Sequence, residues 1–250
     1  MKRVLIAYSG GLDSTFLLKR AVDTLGKENV LAVTARSETY PASEYREAVN
    51  IAKTVGARHV TIHTQELKIK NFKSNPVNRC YFCKKELFEK LDEIKDKYKL
   101  AYVLDGTNYD DLKDVRHGRK AARELGVRSP LLETKLTKAD IRKFSKRLRL
   151  STWDKPSFAC LASRIPFNDP ITRTDLQRID KAETYLRQLG FKQFRVRAHE
   201  GIARIEVLTN ELAKAIKSRD LITAKLKQLG FIYVTLDLRG YRTGSMHEAA

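Results

Sequence analysis

The segment Tyr8-Ser9-Gly10-Gly11-Leu12-Asp13-Ser14-Thr15 lies between two stretches of different periodicity. An apolar run, residues 4–8, comes before it, and apolar side chains recur at helical spacing over residues 16–25. The order is strand, glycine turn, helix, and the free N–H groups at the start of such a helix favour an anion. The turn matches neither the Gly-Lys-Ser/Thr ending of a P-loop nor the dinucleotide pattern G-x-G-x-x-G. It predicts a phosphate-binding turn of another type.

Composition limits the classes of protein to which the chain can belong. Its 250 residues, 42% of them hydrophobic, suffice for one large domain or two smaller ones. No apolar run approaches the ~20 residues that span a bilayer, and Met1-Lys2-Arg3 leads into a strand instead of a signal peptide. We therefore expect a cytoplasmic protein without a membrane partner. The formal net charge of +19 calls for a nucleotide, a phosphorylated metabolite or RNA, although a thermophile's charged surface would give the same balance.

Strand and helix patterns alternate along the first part of the chain. Strands are predicted at residues 30–35, 59–63 and 102–104, helices at 44–55, 86–97, 116–125 and 137–148, and a polar loop at 68–78. Such alternation predicts a parallel sheet that binds ligands at the carboxyl ends of its strands. Asp110, Asp111 and Asp114 follow one of these ends and could hold a cation, but helix capping is the preferred interpretation.

From Thr172 the pattern becomes that of a smaller α/β unit. A helix is predicted at residues 174–189, strands at 194–199, 202–208 and 231–238, and between the last two a helical stretch broken near Ser218. The motif Leu-x-Gln-Leu-Gly-Phe occurs at residues 186–191 and again at 226–231, each time before a strand. We predict one domain over residues 1–165 and a second, smaller one over residues 166–250.

The three cysteines, Cys80, Cys83 and Cys160, are an odd number, which argues against a disulfide framework. A Cys-x-x-Cys pair by itself is compatible with a zinc site, a redox pair or an iron–sulfur cluster. A structural zinc would need a fourth ligand, for which His117 and His199 are candidates. A single cysteine acting as a sacrificial or persulfide sulfur donor is a further alternative.

Basic residues flank the cysteine pair: Arg79 precedes it, and Lys84 and Lys85 follow it. Positive charges and the start of a helix both lower the pKa of a thiol. We therefore expect thiolates here, the form that binds metals and attacks electrophiles.

A family resemblance rests on motifs spread over nearly the whole chain. They are the glycine turn, Asn78-Arg79-Cys80, Asp105-Gly106-Thr107-Asn108, Trp153-Asp154-Lys155-Pro156, Cys160-Leu161-Ala162-Ser163-Arg164, Phe194-Arg195-Val196-Arg197 and Gly240-Tyr241-Arg242. Together they resemble the LarE sulfur transferases of the PP-loop ATP pyrophosphatase superfamily. The resemblance implies an α/β fold with a Rossmann-like parallel sheet of the adenine nucleotide alpha hydrolase type, and a second, smaller α/β domain for substrate binding or oligomerisation.

The same resemblance implies the reaction. Enzymes of this family use ATP to adenylylate a carboxylate of pyridinium-3,5-biscarboxylic acid mononucleotide and convert it to a thiocarboxylate, a step towards the nickel-pincer cofactor of lactate racemase. It further implies a sulfide source and a homo-oligomer, trimer or hexamer, and it disfavours nucleic acid as a partner.

Site residues also follow from the resemblance. The residues implied to bind ATP are Ser9, Gly10, Gly11, Asp13 and Ser14, and Asp13 is also implied to bind Mg²⁺. Arg36, after the second strand, is a further expected ATP contact. Arg195 and Arg197 match a pair that holds the substrate phosphate, and their alternation with apolar residues puts both on one face of a strand. Cys160 matches a sacrificial sulfur donor. The presence of Cys80 and Cys83 instead resembles the branch in which three cysteines hold a [4Fe–4S] cluster.

Two other functions stay open at this point. A tRNA thiolation enzyme of the same superfamily would explain the positive charge equally well, but such enzymes carry RNA-binding or zinc-ribbon modules. An amide-forming synthetase, of the NAD or GMP synthetase type, would leave the three cysteines without a purpose.

Overall fold

The structure is a computed structural model that describes residues 3–112, 117–242 and 244–247. The predicted Asp114 and the predicted helix start at Arg116 lie outside these ranges. The chain divides into two compact units: Met1–Glu66 with Asn78–Phe158, and Leu67–Val77 with Ala159–Ala250. The boundary thus falls after residue 158 and not after 165. In addition, residues 67–77 join the second unit, because the Asn75 amide donates to the carbonyl of Pro166 at 2.6 Å.

The first unit contains a four-stranded sheet. Its strands are β1 (Val4–Ala7), β2 (Val30–Arg36), β3 (Arg58–His63) and β4 (Tyr102–Leu104). Their order is β3-β2-β1-β4, and every pairing is parallel. The predicted α/β fold with a parallel sheet is confirmed, and β1 lies inside the sheet with the glycine turn at its carboxyl end.

Helices cover both faces of this sheet. In the described part of the chain the helices are α1 (Leu12–Leu25), α2 (Ala42–Val55), α3 (Lys70–Lys73), α4 (Arg79–Lys97), α5 (Gly118–Glu124), α6 (Pro130–Glu133), α7 (Lys138–Arg147), α8 (Arg173–Gln188), α9 (Leu212–Lys217) and α10 (Arg219–Gln228). Of these, α3, α8, α9 and α10 belong to the second unit, and the others belong to the first. Val4 and Ile6 of β1 pack in one apolar cluster with Phe16 of α1, whereas Leu5 packs in another with Phe88 of α4. Because successive side chains of a strand point to opposite faces, β1 is buried on both.

The segment before and through the cysteine pair is more helical than predicted. Residues 68–78 were predicted as a loop, yet a 3₁₀ turn at Glu66–Lys68 and the short helix α3 occupy part of it. Helix α4 begins at Arg79, seven residues before the predicted start at Glu86. Phe72 is buried, and a single buried side chain in a polar stretch produces no helical periodicity that the sequence could reveal.

The second unit contains a three-stranded sheet, again with the predicted strands. They are β5 (Phe194–His199), β6 (Ile202–Val207) and β7 (Tyr233–Leu236), in the order β5-β6-β7. β5 and β6 are antiparallel, whereas β6 and β7 are parallel. The predicted helix break is confirmed at Ser218, between α9 and α10.

The repeated motif has the same structure in both copies. Phe191 donates its N–H to the carbonyl of Leu186, and Phe231 donates to that of Leu226, both at 3.2 Å. All four side chains are buried. The glycine that precedes each phenylalanine has a positive φ, so each copy ends a helix and returns the chain to the core. No helix of the described residues is both long and apolar enough to cross a bilayer.

Candidate active site

The glycine turn joins β1 to α1 and leads into the first amides of that helix. Gly10 has φ 65°, and a Cβ there would lie 2.6 Å from that of Ala48 in α2, so only glycine fits. The first intrahelical bond of α1 runs from the N–H of Thr15 to the carbonyl of Gly11, at 3.0 Å. The helix amides before Thr15 therefore have no carbonyl partner within the helix, the condition for anion binding.

Two serines flank the turn and face each other. The hydroxyl oxygens of Ser9 and Ser14 are 3.1 Å apart, and the Ser9 N–H donates to Ser14 Oγ at 3.3 Å. Opposite them, a Cβ on Gly106 would lie 3.0 Å from the Ser14 nitrogen. The motif after β4 therefore approaches the start of α1 so closely that any side chain at position 106 would crowd the Ser14 backbone.

Asp13 has one carboxylate oxygen engaged and one unengaged. Its Oδ2 forms an ion pair with Lys138, the first residue of α7. Its Oδ1 is buried and has no hydrogen-bond partner in the part of the chain that the structure describes. Mg²⁺ prefers oxygen ligands of this kind, so the donor set fits the predicted magnesium contact.

The aspartates after β4 act as hydrogen-bond acceptors for turns and helix starts. Asp110 accepts the N–H of Lys138 at 2.8 Å, and Asp111 accepts that of Asn108 at 3.1 Å. The capping interpretation of these two is confirmed. Asp105 accepts from the hydroxyls of Thr107 and Ser129, at 2.7 and 2.6 Å.

Arg36, added to the predicted ATP contacts, is the last residue of β2, so it belongs to the strand and not to the loop after it. It is exposed, and its guanidinium carbon lies 5.2 Å from the centre of the Tyr45 ring. Its role towards ATP stays a prediction.

Cys80 and Cys83 lie in the first two turns of α4, three residues apart and hence on one face of the helix. Cys80 is exposed and Cys83 half-buried, and neither forms a disulfide bond. The Cys83 sulfur lies 4.0 Å from a carboxylate oxygen of Glu66, a buried residue whose pKa is raised by burial. Sequence reasoning missed Glu66, because a lone glutamate in a polar stretch gives no signal.

The lysines that follow the pair have partners on their own helix. The ammonium of Lys84 lies 5.3 Å from the centre of the Phe88 ring, and that of Lys85 lies 4.0 Å from a Glu89 oxygen. Four residues is the spacing of neighbours on a helix face, so these partners are local. The expected lowering of the thiol pKa by these two lysines stays a prediction.

Cys160 belongs to the second unit, where a buried arginine holds its backbone. Arg164 donates to the carbonyls of Ala159 and Cys160, at 2.5 and 3.0 Å. Its other nitrogens form two 2.9 Å bonds to the carboxylate of Glu183 in α8. Burial is the largest single influence on the pKa of Glu183 and raises it, but the charge and hydrogen bonds of Arg164, the charge of Arg195 and the Val196 N–H together outweigh burial, so the pKa is lowered. Glu183 is a further residue that the sequence reasoning missed.

No group of three or more His, Cys, Asp or Glu side chains that could hold a metal ion occurs among residues 3–112, 117–242 and 244–246. Cys80 and Cys83 belong to the first unit, and Cys160 belongs to the second. Of the two candidate zinc ligands, His199 contacts the guanidinium of Arg204 at 3.3 Å, and burial lowers its pKa.

Arg195 and Arg197 lie in β5 and are buried, so they do not form a solvent-exposed strand face. Arg197 pairs with Glu206 at 2.8 Å and donates to the Ser163 carbonyl at 3.0 Å. Arg195 lies over the ring of Tyr241 at 5.1 Å, and its pKa is lowered by burial and by neighbouring arginines.

A parallel sheet whose inner strand β1 ends in a Ser-Gly-Gly-x-Asp-Ser turn defines an ATP-binding protein of the PP-loop class. Comparison with known proteins agrees, because a family model for NAD synthase matches residues 1–89. The pyridinium-3,5-bisthiocarboxylic acid mononucleotide synthase of Lactiplantibacillus plantarum is 38% identical over 248 residues, which cover 99% of this chain and 90% of that protein. The chain belongs to the family of that synthase, the LarE sulfur transferases, and is an ATP-dependent enzyme.

Two uncharacterised proteins show the same whole-chain similarity. One, from Synechocystis, is 43% identical over 249 residues, which cover 99% of this chain and 92% of that protein. The other, from Methanocaldococcus jannaschii, is 34% identical over 245 residues, which cover 97% of this chain and 92% of that protein. Similarity of this extent to a mononucleotide synthase does not favour the tRNA thiolation alternative.

Proposed function

We propose that this enzyme uses ATP to convert a carboxylate of pyridinium-3,5-biscarboxylic acid mononucleotide into a thiocarboxylate, for nickel-pincer cofactor biosynthesis. The observation that carries the proposal is the 38% identity, over nearly the whole chain, to a synthase named for the thiolated product. The proposal also includes a cytoplasmic homo-oligomer, trimer or hexamer, which light scattering of the purified protein would test.

The first step activates the carboxylate. A carboxylate oxygen attacks the α-phosphorus of ATP, and the bond from that phosphorus to the bridging oxygen breaks, so that an acyl adenylate forms and pyrophosphate leaves. The helix amides before Thr15, which have no carbonyl partner within α1, suit the β- and γ-phosphates together with the hydroxyls of Ser9 and Ser14. Asp13 presents a buried, unengaged oxygen that suits Mg²⁺, which offsets the charge of the leaving pyrophosphate.

The second step delivers sulfur. A sulfur nucleophile attacks the acyl carbon, the bond to the adenylate oxygen breaks, and AMP leaves with that oxygen. Cys80, Cys83 and Cys160 are the residues that would hold a [4Fe–4S] cluster, and such a cluster supplies an iron without a protein ligand, to which a sulfide can bind. Two cysteines on one face of α4, neither of them in a disulfide bond, fit this donor set. Arg164 donates a hydrogen bond to the backbone carbonyl of Cys160.

Arg195 and Arg197 are proposed to hold the substrate phosphate. Replacing both by alanine should weaken mononucleotide binding and spare ATP binding, but loss of Arg197 also breaks its 2.8 Å ion pair with buried Glu206 and leaves that carboxylate with Arg204, at 3.3 Å, and Ser245. Breaking a buried ion pair in this way costs about 3–5 kcal/mol. Arg195→Lys and Arg197→Lys are therefore the better variants, since lysine keeps the charge but not the two-pronged hydrogen bonding. Equal loss of both ligands would contradict the assignment.

The decisive experiment counts products per chain. The protein is reconstituted anaerobically with iron and sulfide, its absorption spectrum and iron content are recorded, and thiocarboxylate formed from the mononucleotide is measured. More than one product per chain, abolished by Cys80→Ala and by Cys83→Ala, is the expected result. A single turnover, with about 34 mass units lost at Cys160 as its thiol leaves, would establish the sacrificial route instead.

A further inference from the structure

The carbonyl groups of the glycine turn are held by side chains from three distant parts of the first unit. Thr34 Oγ1 donates to the carbonyl of Tyr8 at 2.9 Å, and the Tyr40 hydroxyl donates to that of Ser9 at 2.7 Å. The Lys155 ammonium donates to the carbonyl of Gly10 at 3.3 Å. Three successive acceptors of the turn are therefore occupied from within the protein.

Each of these contacts also sets the direction of the backbone N–H that follows the bonded carbonyl. A peptide unit is planar and trans, so its C=O and the N–H of the next residue point in opposite directions. By holding the Ser9 carbonyl, Tyr40 sets the direction of the Gly10 N–H. By holding the Gly10 carbonyl, Lys155 sets the direction of the Gly11 N–H. Glycine would otherwise let these two peptide planes rotate, because it has no Cβ to restrict them.

The two donors are themselves held in place. The ring of Tyr40 makes an edge contact with that of Phe158, with 6.3 Å between ring centres. Burial raises the pKa of the Tyr40 hydroxyl well above its usual range, so it keeps its proton and donates. Lys155 pairs with Glu44 at 2.9 Å and Glu47 at 2.8 Å. Both glutamates belong to α2, the helix whose Ala48 meets Gly10.

We propose that Tyr40 and Lys155 are positioning residues that orient two amides of the glycine turn and thereby set the affinity for the pyrophosphate part of ATP. This inference rests on the proposed ATP-dependent reaction. Because neither side chain is proposed to touch the nucleotide, the effect is confined to ligands that carry the β- and γ-phosphates.

Tyr40→Phe tests the proposal, since it removes only the hydroxyl and keeps the ring against Phe158. Tyr45→Phe is the matched control, because it removes a hydroxyl that contacts Thr61 at 2.9 Å in the same unit. Calorimetry with Mg²⁺ and inorganic pyrophosphate, ATP or AMP gives the affinities. Loss of one orienting hydrogen bond should weaken pyrophosphate and ATP binding about tenfold and leave AMP binding and the KM of the mononucleotide unchanged. Lys155→Met should weaken pyrophosphate and ATP binding to the same extent. Lys155→Arg, which keeps a charged donor, should weaken it less.

Two results would overturn the inference. The first is a pyrophosphate affinity of Tyr40→Phe equal to that of Tyr45→Phe. The second is an equal loss for AMP and pyrophosphate, which indicates a general structural role. If the unaltered protein binds neither pyrophosphate nor ATP, the proposed function fails together with the inference.

Discussion

At the scale of single residues, Asp13 both stabilises the start of α1 and presents a carboxylate oxygen to a cation. An aspartate in the first turn of α1 is stabilised by the positive end of the helix. Its ion pair with Lys138 uses one oxygen and leaves the other buried without a partner among the described residues. A buried acceptor without a partner costs free energy, which a bound cation would recover.

Asp13→Asn should impair the first chemical step. The amide has no negative charge and binds Mg²⁺ poorly, and even the loss of residues that only support metal ligands costs about 10- to 100-fold in activity. AMP and pyrophosphate formation, measured over a range of Mg²⁺ concentrations, should fall at least that far. Asp23→Asn, on the same helix in a surface pair with Lys19, is the control. Release of ADP and orthophosphate would contradict the assignment of the reaction.

At the scale of elements, the pair Arg164–Glu183 ties the Cys160 segment to α8. Neither residue is more than 4% exposed, and Glu183 also accepts the N–H of Val196 in β5 at 3.0 Å. One buried carboxylate thus joins a 3₁₀ turn, a helix and a strand. The contribution of such a pair to folding depends on the charge state of its carboxylate.

Glu183 should make the second unit sensitive to acid. Its folded-state pKa lies below the ordinary value of 4.5, so the unfolded chain binds the proton more readily. The stabilisation is complete above that value and is lost as pH falls through the folded-state pKa. Glu183→Gln should lower the free energy of unfolding by about 3–5 kcal/mol at pH 7, because Arg164 loses its charged partner, and should flatten the acid slope. Urea unfolding at several pH values measures both effects.

The control for this prediction is Glu200→Gln, at an exposed position of the same unit. It should change neither the free energy of unfolding at pH 7 nor its slope. A Glu183→Gln protein with the same acid slope as the unaltered protein would show that other carboxylates govern acid unfolding.

Local patterns predicted most elements, and they failed where an element is short or has little apolar surface. The helix predicted at residues 137–148 is α7, whose start is fixed by a local capping box of Thr137 and Asp140. Helices α3 and α6 were not predicted, because four residues cannot show a helical period. The start of α4 was missed because its first turn contains a buried arginine where the pattern calls for an apolar residue.

At the scale of the whole molecule, the sequence predicted which residues form the candidate site but not what holds them. The glycine turn and Asp13 could be found from one motif. The contact of Asp13 with Lys138 joins residues 125 positions apart, and that of Gly10 with Lys155 joins residues 145 apart. Such pairs depend on the order of strands in the sheet, about which neither local periodicity nor motif spacing contains information.

The net charge of +19 leads to a prediction for the whole protein. We expect any association with tRNA to be non-specific and to weaken steeply as salt is raised, since counterion release drives such binding. Fluorescence anisotropy of labelled tRNA, titrated at several salt concentrations, measures this. Saturable binding that survives high salt and selects one tRNA would favour the thiolation enzyme that acts on tRNA.

The interleaved path of the chain affects how the protein is made. Residues 67–77 leave the ribosome well before Pro166, to which Asn75 is bonded 91 positions later, and before Ile171, whose N–H bonds to Lys73. At about 5–20 residues per second, this early segment waits roughly 5–20 seconds for its partners. The strands of the first sheet, by contrast, have all been synthesised by Leu104. A nascent chain halted shortly before Pro166 should therefore resist protease in its first sheet and be cut at residues 67–77.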